Sequence, residues 1–172
     1  MFYAQNLCAN LGDSVFDLIN TTENLQSFIQ KISTAKWIAI DTEFLREKTY
    51  YAKLCLIQVE AEGYRACIDP LNISDMSVLY DVLHNPEVVK VLHAAHQDLE
   101  ILMQLTGNVP APIFDTQVAA SVLGLGDQMG YARLVEDMLG VSLAKTQSRT
   151  DWSKRPLKPA QLEYAIDDVR YL

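Results

Sequence analysis

The chain has 172 residues, 49 % of them hydrophobic, which suits one domain with a sizeable core. It contains no apolar run long enough for a transmembrane helix, and its opening, MFYAQNLCANLGDS, has no basic stretch followed by an apolar one, so neither a membrane span nor a secretory signal is expected. The net charge of −8 speaks against a broadly basic nucleic-acid-binding surface, and Cys8, Cys55 and Cys67, with no CxxC spacing, read as free thiols of a reducing cytoplasm rather than as a disulfide framework or a zinc site.

Residues 22–32 place Leu25, Phe28, Ile29 and Ile32 on one helical face, with Thr21 or Thr22 as the cap. Three strand-like runs follow, Trp37–Phe44, Lys53–Val59 and Tyr64–Ile68, the last two joined by a hairpin turn at AEG. A helix is predicted over 75–84, and Val88–Leu92 reads as a buried strand. A helix over 98–106 stops at Gly107. A short strand near Ile113, a helix at about 115–123 and another at about 131–139 come next. The stretch 141–158 is irregular and basic, and Pro159 opens a last helix at the position where its missing N–H costs nothing. A strand meander followed by alternating helix and strand predicts an α/β fold: a mixed β-sheet flanked by helices on both faces.

The acid is not spread evenly. From Lys145 to Leu172 six Lys/Arg face four Asp/Glu, so a short basic stretch accompanies the end of an otherwise acidic chain. Three short motifs concentrate carboxylates: Asp41 and Glu43 in WIAIDTEF, Asp98 in HAAHQDLEIL, and Asp168 in YAIDDVRYL, with Tyr164 four residues before it. Asp41 and Glu43 are two apart on a strand, so both leave the same face. Like charges about 4 Å apart repel by roughly 4 kcal/mol at an effective dielectric of 20, a cost that divalent cations relieve. Asp98 lies near a helix start, where an acid also simply favours the helix dipole. Tyr164 and Asp168 stack on one helical face, while Asp167 is expected to meet solvent. His93 and His96 lie three apart but lack the partners of a zinc set. If the fold gathers the four carboxylates, they form a cage of oxygens suited to two divalent ions and to metal-dependent phosphodiester cleavage.

At these spacings the chain resembles the DEDD 3′→5′ exonucleases, in the subgroup with tyrosine in the third motif; the histidine subgroup's position is Glu163 here. REKTYYAKLCLIQ (46–58), FDTQVAA (114–120) and QSRTDWSKRPL (147–157) resemble the bacterial ribonuclease D branch of that family, over nearly all of residues 35–172, with Ala52 standing where that branch would have proline. The resemblance implies a ribonuclease H-like fold and two Mg²⁺ or Mn²⁺ ions. Asp41 would bridge both, Glu43 and Asp168 would complete one site, and Asp98 would serve the other. Tyr164 would orient the attacking water. Phe44 would stack on the terminal base or pack in the core. Arg149, Lys154 and Arg155 would hold phosphates or shield the metals, and His93 and Gln97 would line the second motif. The implied substrate is a single-stranded RNA 3′ end, with tRNA precursors the natural example and no obligate protein partner. The alternatives are a DNA exonuclease of the proofreading or Werner type, using the same carboxylates, and a non-catalytic RNA-binding module. Residues 1–172 are read as a C-terminally truncated exonuclease domain, since that branch continues into helical HRDC domains.

Overall fold

The structure is a computed structural model, and it describes residues 16–47, 49–144 and 150–172. In chain order its elements are β1 (Asp17–Ile19), α1 (Thr22–Lys31), β2 (Trp37–Leu45), β3 (Lys53–Ala61), β4 (Tyr64–Ile68), α2 (Ser77–His84), β5 (Val89–Leu92), α3 (His96–Thr106), β6 (Ile113–Asp115), α4 (Thr116–Val122), α5 (Tyr131–Leu139) and α6 (Pro159–Arg170). The strands form one sheet in the order β1-β4-β3-β2-β5-β6. The β2–β3–β4 meander is antiparallel, and β1, β5 and β6 add to it in parallel. This is the mixed sheet expected from the sequence, and its plan is ribonuclease H-like.

Each helix starts and stops for local reasons. Thr21 caps α1 by accepting from the Asn24 N–H. The β3–β4 turn runs through Glu62 and Gly63, both at positive φ, the geometry of a tight hairpin whose second residue favours glycine. The Asp75 carboxylate accepts from the Ser77 N–H, so α2 begins there rather than at 75. Gly107 closes α3 in the left-handed conformation. The short strand β1 was not expected: three residues carry no alternation to read, and its place is set by parallel pairing with β4.

The sheet is covered on both faces. On one, Leu25 and Phe28 of α1, Leu79 and Leu83 of α2, and Ile101 and Leu102 of α3 pack on Ile38, Ile40, Ile57 and Val59. On the other, Leu162, Ala165 and Ile166 of α6, with Trp152, pack on Leu56 and Cys67. The alternation of β2 therefore decides the site. Ile38, Ile40 and Thr42 face α1–α3, while Asp41 and Glu43 face α6. A β-bulge lies beside Glu43: Glu43 pairs with Leu56 and Phe44 with Leu54, leaving Cys55 as the extra residue.

β5 is short, and one of its side chains is a fully buried lysine. The Lys90 ammonium donates to the carbonyls of Asn85 (2.9 Å), Val88 (2.7 Å) and Ala111 (2.6 Å), one acceptor for each of its three protons. Burial lowers its pKa to about 8, so the charged form still dominates at neutral pH. Lys90→Met should cost about 3 kcal/mol in urea unfolding, because the carbonyls that the ammonium served stay buried without a donor. A loss below 0.5 kcal/mol, within the range of an ordinary surface change, would contradict this.

Candidate active site

Three of the four motif carboxylates converge. Asp41 and Glu43 from β2 and Asp168 from α6 each offer an oxygen, and these oxygens lie within 4.8 Å of one another. The sequence brings this about twice over. Period-two alternation puts Asp41 and Glu43 on the α6 face, and Ala165, Ile166 and Val169 seat α6 on the sheet so that Asp168 points the same way.

Asp98 stands beside this group. β5 pairs with β2 only as far as Ala39, so the next residues of β2 have a free edge on that side. Asp98 comes to that edge from the first turn of α3, where the Thr42 hydroxyl donates to its carboxylate. The Thr42 and Asp98 backbone N–H groups also favour its charged form. The loop before α3 is held in place by Asp115, which accepts from the N–H groups of Ala94 (3.1 Å) and Ala95 (2.9 Å) as well as capping α4 through Gln117 and Val118. Ala94 sits at positive φ, an uncommon conformation for a residue with a side chain, and Asp115 pins it. Burial works against the Asp115 charge, but its backbone donors outweigh it and hold the carboxyl below its ordinary value. Asp115 thus does more than cap α4, because it also fixes the segment that delivers Asp98.

The electrostatics of the cluster are strained. Burial first, then Asp98, Asp168 and Glu43, raise the Asp41 pKa well above the usual carboxylate range. Burial with Asp168 and Asp98 pushes Glu43 up to about 8. Burial with Asp167 pushes Asp168 up to about 7. Asp98 is raised as well, chiefly by burial. Four acids in one place that cannot all hold charge form a strong site for a compact cation. An all-oxygen, all-carboxylate donor set fits a hard divalent ion.

Tyr164 stands over the same group. Burial, then Asp168, Glu43 and Asp41, raise its pKa, so the phenol stays protonated. Its ring is tilted against Trp152 at 6.2 Å between centroids, and Trp152 is itself packed under α6. A cleft of about 370 Å³ opens here, lined by Tyr131, Arg133, Tyr164, Asp167 and Asp168 among others.

The flanking residues fare differently. Arg155 was expected at phosphates or metals, but all five of its N–H donors are used inside the protein. Its Nε and one Nη grip Asp69 (2.6 and 2.7 Å), and the rest reach the carbonyls of Cys55, Trp152 and Lys154. It staples the 150–158 segment to β3 and to the loop after β4. His93, expected to line the second motif, engages both ring nitrogens, with Thr116 Oγ1 and with the Met129 carbonyl, each at 2.9 Å. It therefore positions the loop before α5. Asp167, expected in solvent, is half-buried and ion-paired with Arg170 at 2.7 Å. Phe44 packs against the α1–α3 core with part of its ring exposed. Gln97 is exposed, and Lys154 is exposed and paired with Asp151 at 3.4 Å. Arg149 and Cys8 lie outside the described residues; Cys55 and Cys67 are free, buried thiols.

One polar neighbour was not anticipated. Gln58 stands directly opposite Asp41 in the β2–β3 ladder, is fully buried, and its amide has no hydrogen-bond partner in the protein. Its one signal in the sequence is a polar residue inside LCLIQV, legible only once the register with Asp41 is known.

Residues 16–172 match the family model described as 3′-5′ exonuclease, and the chain belongs to that family. Within it the similarity is to ribonuclease D. The Sphingobium indicum protein of that name is 49% identical over 160 residues, which cover 92% of this chain and 41% of that protein. The crystal structure of Escherichia coli RNase D, described as an exoribonuclease involved in structured RNA processing, superposes with a TM-score of 0.88 at 43% identity, over 91% of this chain and 42% of that one. Brucella melitensis NrnC with bound Mg²⁺ gives a TM-score of 0.74 at 28% identity, over 90% and 74%. This chain therefore spans about two fifths of the length of the ribonuclease D relatives it matches. Among the described residues no helix is long and apolar enough to cross a membrane. The family and the acidic cluster together define a divalent-metal site.

Proposed function

We propose that this chain is a two-metal 3′→5′ exoribonuclease domain, removing 5′-mononucleotides from the 3′ end of single-stranded RNA. Precursors of structured RNAs such as tRNA are the natural substrate class. The observation that carries the reading is the convergence of Asp41, Glu43 and Asp168 within 4.8 Å, with Asp98 at the adjoining strand edge. Asp41, Glu43 and Asp168 would hold one cation, and Asp41 with Asp98 the second. Bound there, divalent cations supply charge neutralisation for both the attacking and the leaving oxygen of an in-line displacement.

The remaining work falls to the chain. Tyr164, kept neutral by burial and by the acids around it, has one proton to donate and lone pairs to accept with, and so can orient a water for attack without becoming a base itself. The seating of α6 on the sheet fixes both Tyr164 and Asp168, so nucleophile orientation and cation binding are set by one rigid element. Of the three basic residues singled out for phosphate contact, Arg155 is committed elsewhere, which leaves the exposed Lys154 and, outside the described residues, Arg149. The preference for RNA over DNA rests on the ribonuclease D relatives, because the carboxylates themselves serve either backbone.

The test is digestion of internally labelled single-stranded RNA with chromatographic identification of products. Release of 5′-monophosphates from the first time point, with intermediates shortened from the 3′ end, is expected. Early internal fragments, or 3′-phosphate products, would overturn the reading. Tyr164→Phe should slow turnover about a hundredfold while the calorimetric affinity for Mn²⁺ stays within twofold. A parallel loss of metal binding would assign Tyr164 to the cation site instead.

A further inference from the structure

We propose that Tyr50 and Tyr51 form a stacking platform for bases of single-stranded RNA upstream of the end held at the carboxylates. This deepens, and rests on, the exonuclease reading above. The two tyrosines are 85 and 62 % exposed, and they meet edge to face at 4.9 Å and 90°. That contact uses one edge and one face, and leaves other ring surface open to water. Exposed aromatic surface is costly to leave wet, and a base is a flat partner that covers it whatever its sequence.

Location separates this pair from the other exposed aromatics. Trp37 opens β2, and Tyr64 follows the β3–β4 turn, so both lie at the end of the sheet away from Glu43. Phe114 is on the edge strand β6. Tyr50 and Tyr51 belong to the connection that leaves β2 at Leu45, about 7 Å along the strand from Glu43, and returns at Lys53. The connection is anchored beneath them. Arg46 pairs with Glu100 of α3 at 2.8 Å, the Thr49 hydroxyl donates to the Tyr51 carbonyl at 2.8 Å, and Ala52 packs against the core.

The next residues in the chain, Ala52 and Lys53, line a cleft of about 550 Å³ with Asp75 and Tyr80. Lys53 is exposed, with no ion-pair partner among the described residues, and is free to meet a phosphate, while the Asp75 carboxylate is engaged with the Ser77 N–H. Aromatic faces beside a free cation are what a single strand needs, and they grip without reading sequence, as stepwise trimming requires.

The experiment compares the wild-type chain with the Tyr50→Ala/Tyr51→Ala double variant and the Tyr50→Phe/Tyr51→Phe pair. Binding of 5′-labelled oligoadenylates of increasing length is followed by anisotropy with Ca²⁺ in place of Mg²⁺. Wild type should bind longer oligomers more tightly than the dinucleotide, the alanine pair should lose about tenfold of that gain, and the phenylalanine pair should keep it. Dinucleotide hydrolysis in Mg²⁺ should be the same in all three. A length gain that survives in the alanine pair overturns the platform, and so does an equal loss on dinucleotide and long oligomer. Absence of dinucleotide hydrolysis in wild type would count against the exonuclease reading and leave the binding comparison intact.

Discussion

Asp41→Asn is expected to abolish hydrolysis and, at pH 8 without metal, to raise the melting temperature. Asp41 is the carboxylate on which the others press: burial, Asp98, Asp168 and Glu43 all oppose its charge. Removing that charge removes the repulsion and leaves a neutral amide of the same shape. The gain should be roughly 1–3 kcal/mol, or several degrees for a domain of this size. Turnover should fall by at least a thousandfold, because the cations lose the ligand proposed to be common to both. A variant that melts lower and still cleaves would contradict both halves of the argument.

Divalent metal should act on the same repulsion from the other side. In the metal-free protein Glu43 keeps its proton until about pH 8 and Asp168 until about pH 7. In the unfolded chain ordinary carboxylates lose theirs near pH 4. The folded state therefore binds more protons across this window, and its stability falls as pH rises from about 4 to 8. A bound divalent cation takes the place of those protons. Mg²⁺ at a hundred times its dissociation constant should add about 2.7 kcal/mol, roughly 5–10 °C in melting temperature. The increment should be largest above pH 8, where the acids are ionised, and should shrink toward pH 5. EDTA should reverse it. A metal-induced shift that is absent, or equal at pH 5 and pH 8, would mean that the cluster does not hold the cation.

The sheet and its flanking helices were legible because the signals are periodic. Short apolar runs set off by the AEG turn marked β2 through β4, helical spacing marked α1 and α2, and Pro159 and Gly107 marked ends. The gathering of Asp41, Glu43 and Asp168 followed from alternation plus one helix face. What could not be read is what only register and packing decide. Asp98 reaches the other three from a separate element, at an edge of β2 left open because β5 leaves it after Ala39, a fact of strand length. Arg155 looks in sequence like any basic residue of a basic stretch, and only the fold shows Asp69, remote in sequence, waiting to take two of its donors. His93 was named for the right motif, yet its ring faces Thr116 and Met129 rather than the opening of the site. Gln58 became visible through its pairing with Asp41.

The most direct test of the account is digestion of a 3′-labelled single-stranded RNA and a matched DNA, each with Mg²⁺, with Mn²⁺ and with EDTA, by the wild-type chain and by Asp168→Asn. Labelled mononucleotide is expected from RNA in either metal, with slower release from DNA and none with EDTA or from the variant. Release that persists in EDTA or in Asp168→Asn would contradict the carboxylate site itself, and DNA degraded as fast as RNA would contradict the assignment of its substrate.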